Sequence, residues 1–117
     1  MHERSLVKGL IEQVLEEGRN RRLSQIHEIR ISIGEFSGVE PHLVKSAFDE
    51  MAAEYWPTPV QLAIEVIPLS AICLACHENF RVMDFRFICL KCGSGDVTIT
   101  AGEEMQLVSL RAEATRE

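Results

Sequence analysis

Two cysteine pairs, Cys73-Leu-Ala-Cys76 and Cys89-Leu-Lys-Cys92, with twelve residues between them, constrain this chain more than any other feature. Two residues between cysteines let both thiolates of a tight turn point at one ion, and two such turns at the ends of a hairpin complete a tetrahedron. Four thiolates close the coordination shell, so no bound water is left to activate, and a structural zinc is expected rather than a catalytic one. Other chemistries use the same residues. A redox pair of thioredoxin type would need a helix start and would leave the second pair unexplained. Stable disulfides suit an oxidising compartment, whereas iron in a rubredoxin-like four-sulfur centre of an electron carrier is chemically sound. His77, beside Cys76, could replace a thiolate, although a solvated turn histidine is the simpler reading.

The intervening Arg81, Val82, Phe85, Phe87 and Ile88 would supply the strands of a zinc ribbon, and Gly93-Ser94-Gly95 gives the second turn its backbone freedom. A ribbon so small buries little apolar surface and depends on its ion to fold. Residues 70–101 are therefore expected to form a zinc-binding module inserted into a second domain made of 1–69 and 102–117.

That second domain is legible from periodicity. Leu6, Val7, Leu10, Ile11, Val14 and Leu15 recur at helical spacing, and Gly18 is placed to end the helix before a basic turn at Arg19–Arg22. From Gln25 to Ile33 the pattern alternates, with Ile29, Ile31 and Ile33 on one face and Glu28, Arg30 and Ser32 on the other. Pro41 opens a second helix whose buried face is expected to be Leu43, Val44, Ala47, Phe48 and Met51, and Pro57 and Pro59 prevent its continuation. A strand at Val60–Ile67 would complete a right-handed crossover. Glu103–Ala112 is apolar on both faces, which predicts a central position in the sheet. The expected fold is α+β: a small mixed three-stranded sheet with two helices, plus the ribbon. Pro68–Ser70 and Gly102 are the expected boundaries and a plausible hinge.

Composition narrows the partners. With 18 acidic and 12 basic residues the net charge is −6, which disfavours nucleic acid as a general partner and suits cations or a basic protein surface. A nucleic-acid or protein interaction module using Arg81, Arg86 and Lys91 is the main alternative. No apolar run approaches the roughly 20 residues of a membrane span, and Met1-His2-Glu3-Arg4 lacks a signal peptide's apolar core, so a cytoplasmic location is expected.

The amino terminus carries a second set of donors. The Met1 amine, the deprotonated backbone nitrogen of His2 and its imidazole Nδ1 can chelate one ion through adjacent five- and six-membered rings. Such nitrogen donors suit tetragonal or square-planar Ni(II) or Cu(II) better than tetrahedral zinc, and Glu3 could complete the shell. His27, continuing the face of Ile29 and Ile31, reads as a satisfied histidine at a strand edge, and His42 as a solvated one.

Met1-His2-Glu3 opening an amphipathic helix, the segment Arg30-Ile-Ser-Ile-Gly-Glu-Phe-Ser-Gly-Val-Glu-Pro41 and the late cysteine pairs together resemble the HypA/HybF family of hydrogenase nickel-incorporation proteins, nearly end to end. The resemblance implies a nickel metallochaperone rather than an enzyme, taking Ni(II) at Met1, His2 and Glu3 and helping to insert it into the large subunit of a nickel-iron hydrogenase. It implies structural zinc on Cys73, Cys76, Cys89 and Cys92. It also implies partners: a GTPase nickel-accessory protein, the hydrogenase large subunit, sometimes a second copy of the chain, and for some members urease. Some members add an acid before the second helix; Glu40 holds that position here, where aspartate would match more closely. Members with histidine after both cysteine pairs differ from this chain, which has Gly93 after Cys92.

Overall fold

The computed structural model describes residues 3–114. Along the chain lie α1 (Glu3–Asn20), β1 (Leu23–Gly34), α2 (Pro41–Ala52), β2 (Gln61–Ile67), β3 (Ser70–Cys73), β4 (Asn79–Arg81), β5 (Val97–Ala101) and β6 (Met105–Ala114). They form two three-stranded sheets, one ordered β2-β1-β6 and the other β4-β3-β5. The first is mixed: β1 runs parallel to β2, from Glu28 opposite Gln61 to Gly34 opposite Ile67, and antiparallel to β6. The α+β class with its mixed sheet and two helices is as expected.

Both helices bury one stripe. Val7, Leu10, Ile11 and Val14 of α1 and Val44, Ala47, Phe48, Met51 and Ala52 of α2 pack with Ile26, Ile29, Ile31, Ile33 and Leu62 in one core. Two details of the helices depart from expectation. Leu43 is 49% exposed and the buried stripe of α2 ends instead on Ala52. Gly18 does not stop α1, because a missing β-carbon only weakens a helix. The helix runs on to Asn20, helped by the Glu17–Arg21 ion pair one turn apart, and Arg22 reverses the chain with φ 54°.

The strand at the centre is β1, and β6 lies at the edge with Val108 58% exposed, which corrects the central position read for Glu103–Ala112. The crossover occupies one side of β1, leaving β6 only the other. β1 is also irregular: its register against β6 shifts between Ile26 and Glu28. The bulge puts Ile26 into the core in the place where strict alternation would put His27. His27 lies one residue before β1 begins to pair with β2, and its Nε2 lies 2.8 Å from Oε2 of Glu113.

The second sheet has a small core of Leu69, Ala71, Cys73, Phe80, Val82 and Cys89. Its expected hairpin is only partly formed. β4 stops at Arg81, and Val82–Ile88 is irregular, with Asp84 and Phe85 both in the left-handed region at φ 53° and 57°. The radius of gyration, 17.9 Å against about 13 Å for a compact chain of this length, shows that the two sheets extend the molecule rather than stack.

The junction between the sheets is tightly packed, not a loose hinge. N–H groups of Gly34, Glu35 and Phe36 donate to the carbonyls of Glu104, Ile67 and Gly102, each at 2.8 Å. A β-carbon on Gly34 would overlap the carbonyl of Gly102, and one on Gly102 would lie 2.5 Å from Cα of Leu69. Glu35 then crosses the junction, its carboxylate accepting from the Leu69 N–H and from Arg81 Nη2, both at 2.9 Å.

Candidate metal centres

Each cysteine pair lies on a turn built the same way. Cys73 N–H donates to Glu78 O and His77 N–H to Cys73 O; in the second turn Cys89 N–H donates to Ser94 O and Gly93 N–H to Cys89 O. The matching residues His77 and Gly93 have φ of 64° and 77°, so the second turn uses glycine where the first imposes a left-handed backbone on histidine. In each turn the N–H of the second cysteine also donates to the sulfur of the first, Cys76 to Cys73 and Cys92 to Cys89, at 3.4 Å. Sequence spacing forecast the turns but not their equivalence, which the positive φ at His77 establishes.

The two turns bring all four Sγ atoms within 4.8 Å of one another. The Cys73–Cys92 and Cys76–Cys89 sulfurs are each 3.6 Å apart. A tetrahedral zinc with Zn–S near 2.3 Å needs sulfurs about 3.8 Å apart, so the donor set fits that ion. These are thiols rather than disulfides. Their protonation is uneven. Cys89 is drawn down to about 6, chiefly by the backbone N–H of Cys92 and also by Lys91, and Cys73 is lowered chiefly by the Cys76 N–H. Cys76 is pushed up to about 12: the backbone of Glu78 pulls it down, but burial and the three neighbouring sulfurs outweigh that pull. Four sulfurs this close cannot all carry charge unaided, and a divalent cation supplies what they lack. His77 is exposed and no ligand is needed from it.

Of the three cations in the nucleic-acid reading, Arg81 is engaged by Glu35, and Lys91 Nζ lies 4.0 Å from Glu78. The basic patch is thus partly neutralised. Glu35 carries no local sequence signal of its partners, which lie 34 and 46 residues away. The Leu69 N–H first, and then the Arg81 guanidinium, hold its carboxyl below the ordinary glutamate range.

Of the amino-terminal donors, Met1 and His2 lie outside the described residues. Glu3 is the first residue of α1, and its neighbour Arg4 ion-pairs with Glu50 of α2 at 2.8 Å. Glu40 is exposed and occupies the N-cap of α2, ahead of Pro41, without a side-chain capping bond. Among the described residues, the four cysteines are the one group of three or more His, Cys, Asp or Glu whose ligand atoms converge on one point, so Glu3 and Glu40 join no such group there. No described helix is long and apolar enough to cross a membrane.

Comparison with known proteins covers the whole arrangement. Residues 1–112 match the model of the HypA family, described as hydrogenase/urease nickel incorporation, metallochaperone. A hydrogenase maturation factor HypA from Acidithiobacillus ferrooxidans is 32% identical over 97% of this chain and all of its own length. One from a Shewanella species is 33% identical over 97% of this chain and 96% of its own. The solution structure of the Ni metallochaperone HypA from Helicobacter pylori superposes with a TM-score of 0.72 at 32% identity, covering 98% of this chain and all of that one. A fold, a four-thiolate cluster and a near end-to-end match in sequence agree, and the chain belongs to the HypA family of nickel-incorporation metallochaperones.

Proposed function

We propose that this chain binds Ni(II) at its amino terminus and hands it to the large subunit of a nickel-iron hydrogenase during maturation, while a zinc ion on Cys73, Cys76, Cys89 and Cys92 holds the second sheet together. The observation carrying this reading is the joint presence of Met1-His2-Glu3 and the four-thiolate cluster in a chain matched to the family over residues 1–112. The nickel shell comprises the Met1 amine, the backbone and imidazole nitrogens of His2, and Glu3, with Glu40 as a further acid. Nitrogen donors of this kind favour nickel over zinc. Donors carried on a chain terminus can be exchanged stepwise with those of a recipient, where a buried cage would hold its ion.

The working division is a nickel-binding domain of 1–69 and 102–117 and a zinc-binding domain of 70–101, a boundary supported by the two sheets and their separate cores. The protein acts in the cytoplasm as a carrier without catalysis, in concert with a GTPase nickel-accessory protein, and can pair with a second copy of itself. Zinc, when bound, supplies charge neutralisation and a fixed point joining the two turns. The N–H donors from Cys76 and Cys92 orient the sulfurs of Cys73 and Cys89 towards it.

Calorimetric nickel titration of zinc-loaded protein with a native, untagged amino terminus tests the reading, run beside His2→Ala. One tight site, lost in the variant without loss of zinc or fold, is the expected result. Stoichiometric nickel retained by His2→Ala would refute the terminal site.

A further inference from the structure

The first sheet ends on an open strand. β6 pairs with β1 on one side and, among the described residues, with no strand on the other, so the outward N–H and C=O groups of ten residues lack a ladder. Two helices also cover three strands incompletely. The inward row of β6, Met105, Leu107, Leu110 and Ala112, packs against the core yet stays half-buried. Beside this row lies a cleft of about 550 Å³, floored by Leu23, Leu107, Leu110 and Ala112 and walled by Gln13 and Glu17 of α1 and by Arg21 of the turn after it. An added strand satisfies both features, because its backbone extends the ladder while its alternate side chains cover the apolar row.

The pattern of β6 itself selects the strand that fits. Its irregularity is confined to Val108, skipped between Leu107 opposite Ile31 and Ser109 opposite Arg30. From Ser109 onwards the faces alternate: Leu110 and Ala112 point to the core, while Ser109, Arg111 and Glu113 point away from it. Two copies related by a two-fold axis through Ala112 would pair antiparallel, with Arg111 of each opposite Glu113 of the other and Leu110 opposite Ala114. Moving the axis to Arg111 or to Glu113 would set like charges against each other, and opposite charges stabilise a cross-strand pair where like charges repel. An axis between residues would oppose inward to outward side chains. Arg111 and Glu113 are 63% and 62% exposed, each with one in-chain partner, Glu28 at 3.7 Å and His27 at 2.8 Å. The cleft wall is self-complementary as well, since Glu17 and Arg21 bring one charge of each sign.

We propose that β6 is the surface on which two copies of this chain pair, edge to edge and antiparallel about Ala112, joining their three-stranded sheets into one of six strands. The inference rests on the pairing with a second copy included in the function above, and gives that pairing its place and register. The contact lies at the carboxyl end of α1, whereas Glu3 begins that helix and the four cysteines belong to the other sheet and its turns. Pairing therefore covers neither Glu3 nor the cysteine cluster, and depends on neither metal directly. A short strand pair gives a small interface, so the dimer is reversible and set by concentration.

Sedimentation equilibrium of zinc-loaded, full-length protein over a range of concentrations reads the association, and the same monomer–dimer equilibrium is expected with and without nickel. Arg111→Glu and Glu113→Arg should each weaken it at least tenfold, with zinc content and helical signal unchanged. Combining the two restores opposite charges across the axis, so the double variant should dimerise at least tenfold more tightly than either single one. Ala112→Cys, oxidised with diamide while zinc is bound, should give a disulfide-linked dimer, whereas Val108→Cys, off the axis, should not; this reads the register even where a charge variant disturbs folding. A monomer at every concentration would overturn the proposal together with the pairing it rests on. A dimer that ignores the single charge variants, is not recovered by the double one, or fails to cross-link through Ala112→Cys would overturn this interface alone.

Discussion

The two sheets of this protein reach stability by different means. The first gathers fourteen buried apolar residues from two helices and the strands β1 and β2, among them the fully enclosed Ile11, Ile29, Ile31, Val44 and Phe48. The second has six, and two of those are Cys73 and Cys89, whose sulfurs belong to the metal cluster. Hydrophobic burial scales with area, so the first sheet can stand on its packing, whereas the second gains too little to offset the entropy of ordering an irregular segment such as Val82–Ile88. A small region can be made rigid by ligand bonds where a large one is made rigid by side-chain contact.

The strongest test of this contrast is metal removal. Chelation should unfold β3, β4 and β5 and their turns while the helical signal of α1 and α2 persists, because ion binding of this kind contributes on the order of 10 kcal/mol to a small fold. Amide hydrogen exchange resolved by segment would read it, and equal loss of protection in both sheets would break the comparison. Cys89→Ala should reproduce the effect at native zinc levels, measured as zinc content and melting profile. In the first sheet the corresponding injury is Phe48→Ala, expected to cost about 3–5 kcal/mol by urea denaturation. Zinc stoichiometry in whatever folded fraction remains should be unchanged.

Glycine substitutions sharpen the contrast at the junction. Gly102→Ala places a β-carbon against Leu69 at φ 100° and should destabilise by more than about 1 kcal/mol. Gly18→Ala meets nothing within 4 Å inside α1 and should stabilise by about 0.5–1 kcal/mol. The smallest effect concerns Glu35. Its folded pKa is depressed, so the unfolded chain binds more protons in the acid range. Its contribution is therefore full above the ordinary glutamate pKa and is lost as pH falls through the depressed value. Glu35→Gln should flatten the acid limb of the stability profile and leave stability near pH 7 slightly lower; an unaltered acid limb would remove Glu35 from the junction's energetics.

Much of the first sheet is legible in the sequence alone. The stripe Val7, Leu10, Ile11, Val14 and the alternation Ile29, Ile31, Ile33 each repeat often enough for period alone to name the element and its buried face. Pro41 marked the start of α2, and the strand-helix-strand order led to the parallel β1–β2 pair. The misreadings fall where a single residue had to carry the inference. Leu43 is apolar yet exposed, Gly18 is permissive but not a stop, and the apolar composition of β6 could not reveal that β1 was the strand with two partners. The bulge that exchanges Ile26 for His27 breaks the alternation on which the facing argument rests.

At the candidate sites the division follows the range of the interactions. Cysteine spacing is local chemistry: two residues between ligands set the turn whatever surrounds it, so the convergence of Cys73, Cys76, Cys89 and Cys92 was legible from the sequence. Tertiary structure alone decided that Glu35 crosses the chain to Leu69 and Arg81, that Phe36 meets Phe85, and that Gly34, Leu69 and Gly102 touch backbone to backbone. Those contacts join residues some thirty to seventy positions apart, and the chain must close both sheets before any of them can form.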